Sequence, residues 1–130
     1  MKKLLICFAA GCLGALVNSL TVWIFGDLGV SKQLGVALSP HLSTGWLYPR
    51  IVWGGIWGGL FLLPLLRSKP VLQGSVLSLA PTAVQLLYVF PVQAHKGIGG
   101  IELGLLTPLL VIFFNIVWGV VTAITIKLAR

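Results

Sequence analysis

The fold is decided by residues 48–59, which read YPRIVWGGIWGG and open a long apolar segment. On a helix this stretch carries two interleaved GxxxG pairs, Gly54 with Gly58 and Gly55 with Gly59. Four glycines within two turns would cost a helix in water roughly 4 kcal/mol relative to alanine. Inside a bilayer the backbone must keep its own hydrogen bonds, and the missing side chains let another backbone come close. The stretch therefore predicts a membrane helix that packs tightly against a neighbour.

The composition of the whole chain excludes a soluble globular protein. Of the 130 residues 58% are hydrophobic and only 8% are charged, and the mean hydropathy is +1.05. A soluble domain carries about 25% charged residues. The net charge of +7 would suggest a nucleic-acid partner in a soluble protein, but here the basic residues flank apolar runs. We therefore expect the lipid bilayer as a partner and no nucleic acid.

Four segments are long enough to span a bilayer, which takes about 20 residues per helix. We predict an all-α integral membrane protein, a single membrane domain over residues 1–130, with spans at about 4–26, 49–66, 71–90 and 103–126. Residues 31–38 begin with a good N-cap, Ser31, and end before a proline, so we expect a short interfacial helix in the first outer loop.

The basic residues predict the orientation of this four-helix bundle, because they concentrate on the cytoplasmic side of membrane proteins. With the N-terminus inside, the cytoplasmic side holds six of the nine: Lys2, Lys3, Arg67, Lys69, Lys127 and Arg130. The outer side holds three: Lys32, Arg50 and Lys96. The first apolar run is too long for a signal peptide, so we expect it to remain as a helix. The prediction is a multi-pass protein of the bacterial inner membrane with both termini cytoplasmic.

Each predicted span has one face of small or polar residues. The polar members are Asn18 in the first span, Ser75, Ser78, Thr82 and Gln85 in the third, and Asn115 in the fourth. Such groups most often join helices through hydrogen bonds, but they can also line a hydrophilic passage or a polar ligand site. Asn18 and Gln85 each lie 14 residues into their predicted helices, at the same depth of about 21 Å. Pro81 removes a helical hydrogen bond and predicts a kink below Gln85.

Arg50 is the charged residue nearest the membrane interior, and its role has two interpretations. It can be an interfacial anchor whose side chain reaches back to the membrane surface. Alternatively it faces inward, where it is paired with Asp27 or Glu102 or is available to an anionic ligand.

The outer side carries all the chemically versatile residues: His41, His95, Lys96, Asp27 and Glu102. The glycine-rich residues 95–102 precede the fourth span and serve either as a hinge and helix cap or, with Lys96 and Arg50, as an anion or lipid-headgroup site. The histidines lack metal-ligand spacing and lie outside the spans, so we expect neither a metal nor a haem cofactor. No nucleophile pattern and no paired carboxylates appear, so we expect no enzyme.

Two functions fit these features. The first is a protein that works through helix association, as an accessory or assembly subunit or a homo-oligomer, in which the glycines 54, 55, 58 and 59 pack against a membrane protein partner or a second copy. The lack of an ionisable residue deep in the spans favours it. The alternative is a minimal oligomeric channel or transporter for a small or anionic solute. Its polar path would be lined by Asn18, Ser75, Ser78, Thr82, Gln85 and Asn115.

Overall fold

A computed structural model describes residues 1–37, 40–63, 66, 68–93 and 95–129, and these residues form helices and no strand. The α-helices are α1 (Lys2–Asp27), α2 (Val30–Gln33), α3 (Thr44–Trp57), α4 (Pro70–Leu77), α5 (Leu79–Val84) and α6 (Thr107–Ala129). Two 3-10 helices cover Gly58–Leu62 and Ile98–Leu103, and a π-helix covers Gln85–Gln93. Two residues of the predicted charge asymmetry, Arg67 and Arg130, lie outside the described residues.

Within the described residues, three helical segments are long and apolar enough to cross a membrane: Lys2–Asp27, Pro70–Gln93 and Thr107–Ala129. They correspond to the first, third and fourth predicted spans. The second predicted span, 49–66, differs, because α3 has only 14 residues and continues as a 3-10 helix to Leu62. The change to the tighter helix begins at Gly58, and two adjacent glycines there add little to the stability of an α-helix.

The start of α3 also differs from the prediction, which placed it at Pro49. The helix begins at Thr44, because the Ser43 hydroxyl accepts a hydrogen bond from the Trp46 N–H and caps the first turn. Pro49 therefore lies inside the helix. Proline has no N–H, so the helix lacks the hydrogen bond that residue 49 would donate to the Gly45 carbonyl.

The fourth long helix and the short helix of the first loop also have other bounds than the sequence predicted. The fourth helix begins at Thr107 rather than residue 103, because Gly99, Gly100 and Gly104 adopt positive φ angles that an α-helix excludes. The short helix of the first loop ends at Gln33, and Ser31 is a buried residue inside it rather than its N-cap. The last residue predicted for this short helix, Leu38, lies outside the described residues.

The long helical segments pack side by side in an open arc, in the order α3, α1, α6 and then α4 with α5. Only neighbours in this order pack extensively, so α3 and the Pro70–Gln93 segment are left facing each other across a gap. We call the end of the arc that carries residues 28–43 and 95–106 the loop end. The opposite, terminal end holds a cavity of about 100 Å³ between Lys3 and Ile126.

Glycines bring the backbones together at each contact of the arc. A Cβ atom on Gly58 would strike the backbone carbonyl of Cys7, and one on Gly54 would strike the Ala15 side chain. Gly55 faces Cys12 and a Phe8 ring on α1. The neighbour of the glycine-rich stretch is therefore α1 of the same chain. Gly59 is different, because nothing lies within 4 Å of the position of its missing Cβ.

The third long segment is not a single regular helix. The α-helix is interrupted at Ser78, between α4 and α5, where Pro81 leaves the Leu77 carbonyl without its usual donor. From Gln85 onward the chain continues as a π-helix through Pro91 to Gln93, beyond the predicted end at residue 90. Short π segments are frequent at functional sites, because they displace side chains from their regular positions.

We predict that Gly58→Ala lowers the free energy of unfolding by about 1–3 kcal/mol, because the new methyl group must displace the α1 backbone. Gly59→Ala is the matched control and leaves stability unchanged or raised by up to about 1 kcal/mol. Unfolding in mixed detergent micelles, followed by circular dichroism, measures both. Equal losses in the two variants would contradict the packing described.

Candidate functional site

Arg50 lies one helical turn before Gly54 on α3 and extends into the arc. Its Nε donates a hydrogen bond to the Ser19 hydroxyl at 2.9 Å, and its Nη2 donates to the Asn18 Oδ1 at 2.7 Å. The guanidinium carbon lies 4.8 Å from the centre of the Trp46 ring, in a cation–π contact. Arg50 is therefore held against α1, with its guanidinium between the acceptors on α1 and the Trp46 ring.

The guanidinium keeps unused binding capacity. It has five N–H donors, and its bonds to described residues use two of them. The sequence has two carboxylate side chains, Asp27 and Glu102; both belong to the described part of the chain, and neither pairs with Arg50. A charge inside a membrane protein normally has a partner of opposite sign, because leaving it in a low dielectric is costly. Here the partners are neutral, and the positive charge is not cancelled.

Asn18 fixes the position of Arg50. Its side-chain nitrogen donates to the backbone carbonyl of Phe114 on α6, so its oxygen is turned toward α3. The amide is buried, with 6% of the residue exposed, and it links three helices. Asn18 and Ser19 both accept hydrogen bonds from Arg50. These two bonds hold the guanidinium at the edge of the gap between α3 and the Pro70–Gln93 segment.

A second polar group lies across the arc, where α6 meets α5. The Asn115 side-chain nitrogen donates to the Thr82 hydroxyl at 3.0 Å and to the Gln85 Oε1 at 3.3 Å. The Gln85 amide nitrogen makes no hydrogen bond to the described residues, so its two N–H groups remain available. Arg50 and Gln85 thus provide donors from opposite sides of the arc.

Two cavities meet at these residues. The first, which we call the side groove, has a volume of about 510 Å³ and lies in the gap between α3 and the Pro81–Gln93 region. The second, the loop-end cavity, has about 460 Å³ and reaches Lys96 and Trp46. Both are lined by the same five residues: Asn18, Arg50, Gln85, Val89 and Asn115. The unused N–H groups of Arg50 and Gln85 therefore face the two connected cavities rather than packed side chains.

We call the place where the two cavities meet the Arg50 junction. The remaining predicted site residues lie outside it. The Ser78 and Thr82 hydroxyls are buried and donate to carbonyls of their own helix, with Thr82 also accepting from Asn115. On the loop side only Lys96 lines a cavity, while His41, His95, Asp27 and Glu102 are exposed and border neither cavity. No three His, Cys, Asp or Glu side chains in the described ranges come together as metal ligands. The junction is a cluster of hydrogen-bond donors, which is suited to anions.

Two contributors were missed from the sequence, Ser19 and Trp46. Ser19 is adjacent to Asn18, but its hydroxyl counts only once α3 is known to pack on that side of α1. Trp46 precedes Arg50 by four residues, the spacing of neighbours on one helix face. Starting α3 at Thr44 instead of Pro49 would have revealed this pair.

We predict that Asn18→Leu lowers the free energy of unfolding by about 1–3 kcal/mol, because it removes a buried amide that bonds both the Phe114 carbonyl and the Arg50 guanidinium. The matched variant Asn115→Leu costs less, about 1 kcal/mol, since Asn115 is only partly buried and its partner Gln85 lines both cavities, where water can replace the lost hydrogen bond. Chemical unfolding of both variants in the same detergent compares them. The reverse order would show that Asn18 does not hold Arg50 in place.

Comparison with known proteins gives no relative from which a role could be transferred to these residues. No protein-family model matches the chain, and no curated protein or solved structure matches it significantly. The chemistry of the Arg50 junction has to be argued from its own geometry, which offers unpaired positive charge and amide donors to two connected cavities.

Proposed function

We propose that this chain is a small multi-pass inner-membrane carrier that binds an anionic solute at Arg50. The observation that carries the proposal is the guanidinium at the junction of two cavities, which has three N–H donors without a described partner and no carboxylate beside it. A purely structural arginine would be expected to pair with an acid or to reach the membrane surface. An anion would complete the coordination of Arg50 and cancel its charge.

The proposed topology has four spans, with α3 and its 3-10 extension as the second. Fourteen α-helical residues at 1.5 Å and five 3-10 residues at 2.0 Å give a length of about 31 Å, close to the thickness of the hydrocarbon core. Both termini are cytoplasmic by the excess of basic residues on that side. The loop end, with Lys96 at its cavity, would then face the periplasm of a bacterial cell.

A carrier agrees better with this arrangement than an open channel. Below the junction, the terminal half of the arc is filled by a hydrophobic core that includes Phe61, Leu77 and Trp118. The Trp118 ring closes this region and donates a hydrogen bond to the Gly11 carbonyl at 3.2 Å. A solute that enters from the loop end would reach Arg50 and go no further without a conformational change.

Exchange of radiolabelled inorganic phosphate and acetate into proteoliposomes tests the proposal. We expect exchange of at least one anion by the native chain and a loss of about tenfold or more in Arg50→Gln, because a charge-assisted hydrogen bond contributes about 1.5–3 kcal/mol. Lys69→Gln is the control, since it removes one positive charge away from both cavities. Exchange that is absent throughout, or equal in Arg50→Gln and the native chain, would contradict the proposal.

The incomplete arc favours a second candidate, self-association. Because α3 and the Pro70–Gln93 segment do not pack closely, a second copy could close the gap between them. The glycines 54, 55 and 58 are already covered by α1, so the contact would use the exposed flank of α3, formed by Val52, Trp53 and Ile56.

Disulfide cross-linking separates this candidate from a monomeric carrier. In a background where Cys7 and Cys12 are replaced by Ala, Ile56→Cys on the exposed flank would cross-link two copies, whereas Gly55→Cys would not, because that position faces α1. A dimer trapped only by Ile56→Cys supports self-association. Absence of any dimer at protein-to-lipid ratios that permit encounter argues against it.

A further inference from the structure

The side groove is open along the flank of the bundle and not only at its loop end. It lies in the gap that the arc leaves between α3 and α5 with the π-helix. Three side chains on its walls are substantially exposed: Trp53 at 59%, Tyr88 at 50% and Val84 at 41%. In a bilayer these side chains would contact lipid, so the groove is accessible from the membrane itself.

Below one level of polar residues, the lining of the groove is apolar on every helix that contributes; above that level Pro49, Tyr88, Val89 and Gln93 also line it. On α1 the polar Asn18 is followed toward the terminal end by Ala15, and on α6 Asn115 is followed by Trp118. The other two walls repeat the order: Arg50 is followed by Trp53, Gly54 and Trp57, and Gln85 by Val84 and Pro81. All four helical segments, which alternate in direction, therefore have apolar lining residues on the terminal side of their polar residue.

The apolar part of the groove is deep enough to hold an alkyl chain below a headgroup at Arg50. Trp57 lies seven residues beyond Arg50 on α3, so the apolar part of the groove extends about 10 Å deeper than the guanidinium. Above Arg50, the loop-end cavity leads to Lys96 and provides room for a headgroup. A free inorganic anion would use the donors but none of the apolar depth.

We propose that the ligand is an anionic amphiphile, a phosphate or carboxylate headgroup on an alkyl chain, that enters the side groove from the bilayer. Its headgroup binds Arg50 and the Gln85 amide, and its chain lies along Trp53, Trp57 and Val84. This inference rests on the proposed anion site, and it adds the class of ligand and the lateral route of entry. The headgroup chemistry is shared with a free phosphate ion, so the test must separate the two.

Native mass spectrometry of the protein released from an uncharged detergent provides the test, with dioleoyl phosphatidic acid and dioleoyl phosphatidylcholine as probes. The two lipids have the same chains and differ only in the headgroup, which is anionic in the first and zwitterionic in the second. We expect the native chain to retain phosphatidic acid about tenfold better, as one charge-assisted contact predicts. Arg50→Gln should bring the two lipids to equal retention.

A pair of valine variants tests the apolar part of the groove. Val84→Trp fills the groove below Arg50, and Val76→Trp is the matched control, because Val76 has the same 41% exposure on the neighbouring α4 and lines neither cavity. We expect Val84→Trp to lower retention of phosphatidic acid about tenfold, given that each buried methylene raises affinity about fourfold. Val76→Trp should match the native chain.

Titration of inorganic phosphate, followed by isothermal calorimetry, distinguishes the failure of this inference from the failure of the anion site. Phosphate binding that depends on Arg50, together with equal retention of the two lipids, would overturn the amphiphile and leave the anion site intact. Retention of phosphatidic acid that Val84→Trp does not change would also overturn it. If the native chain neither binds phosphate nor retains phosphatidic acid better than phosphatidylcholine, both proposals are overturned.

Discussion

The close contact between the backbones of α1 and α3 sets the geometry on which the rest of the structure depends. Gly58 lies against Cys7 and Gly11, and Gly54 lies against Ala15. The helices are antiparallel, so four residues back along α3 correspond to four residues forward along α1, and that step brings Arg50 to Ser19 and Asn18. The glycines therefore act at a distance from the site: they set the separation and register that make the arginine hydrogen bonds possible. A larger side chain there would move Arg50 away from both acceptors.

Sequence reasoning found the helical character and three of the long helical segments, because hydropathy and helical spacing are local properties. It named Asn18, Arg50, Gln85 and Asn115 as polar candidates but not Ser19 or Trp46, which the structure places beside Arg50. It misplaced the starts of α3 and α6, since those depend on the Ser43 cap and on the positive φ angles of Gly99, Gly100 and Gly104. The π-helix from Gln85 was not foreseen, because no residue pattern encodes it. The outer-face residues His41, His95, Asp27 and Glu102 line neither of the two cavities, and no three of them come together as metal ligands in the described part of the chain.

The interpretation of Arg50 could not be decided from the sequence, and the reason is physical. An anchor and an inward-facing cation have the same sequence context, an arginine at the edge of an apolar run. They differ only in what covers the helix on that side. In the structure α1 packs on α3. Arg50 therefore donates hydrogen bonds to Asn18 and Ser19 and makes a cation–π contact with Trp46. Two hydrogen bonds and a cation–π contact orient the charge, but they do not neutralise it.

An arginine held only by neutral acceptors keeps a positive charge that the described residues do not cancel. The neutral acceptors compensate part of the desolvation of the guanidinium, and the remainder favours any anion that can reach it. Such an anion stabilises the folded chain in proportion to its occupancy, because it binds the assembled junction and not the separated helices. In a bilayer the anions present at highest local concentration are those already anchored there. The open flank of the arc, the apolar lining below Arg50 and the charge without an acidic partner thus meet at one place, because α3 packs mainly against α1 and its other side borders the groove.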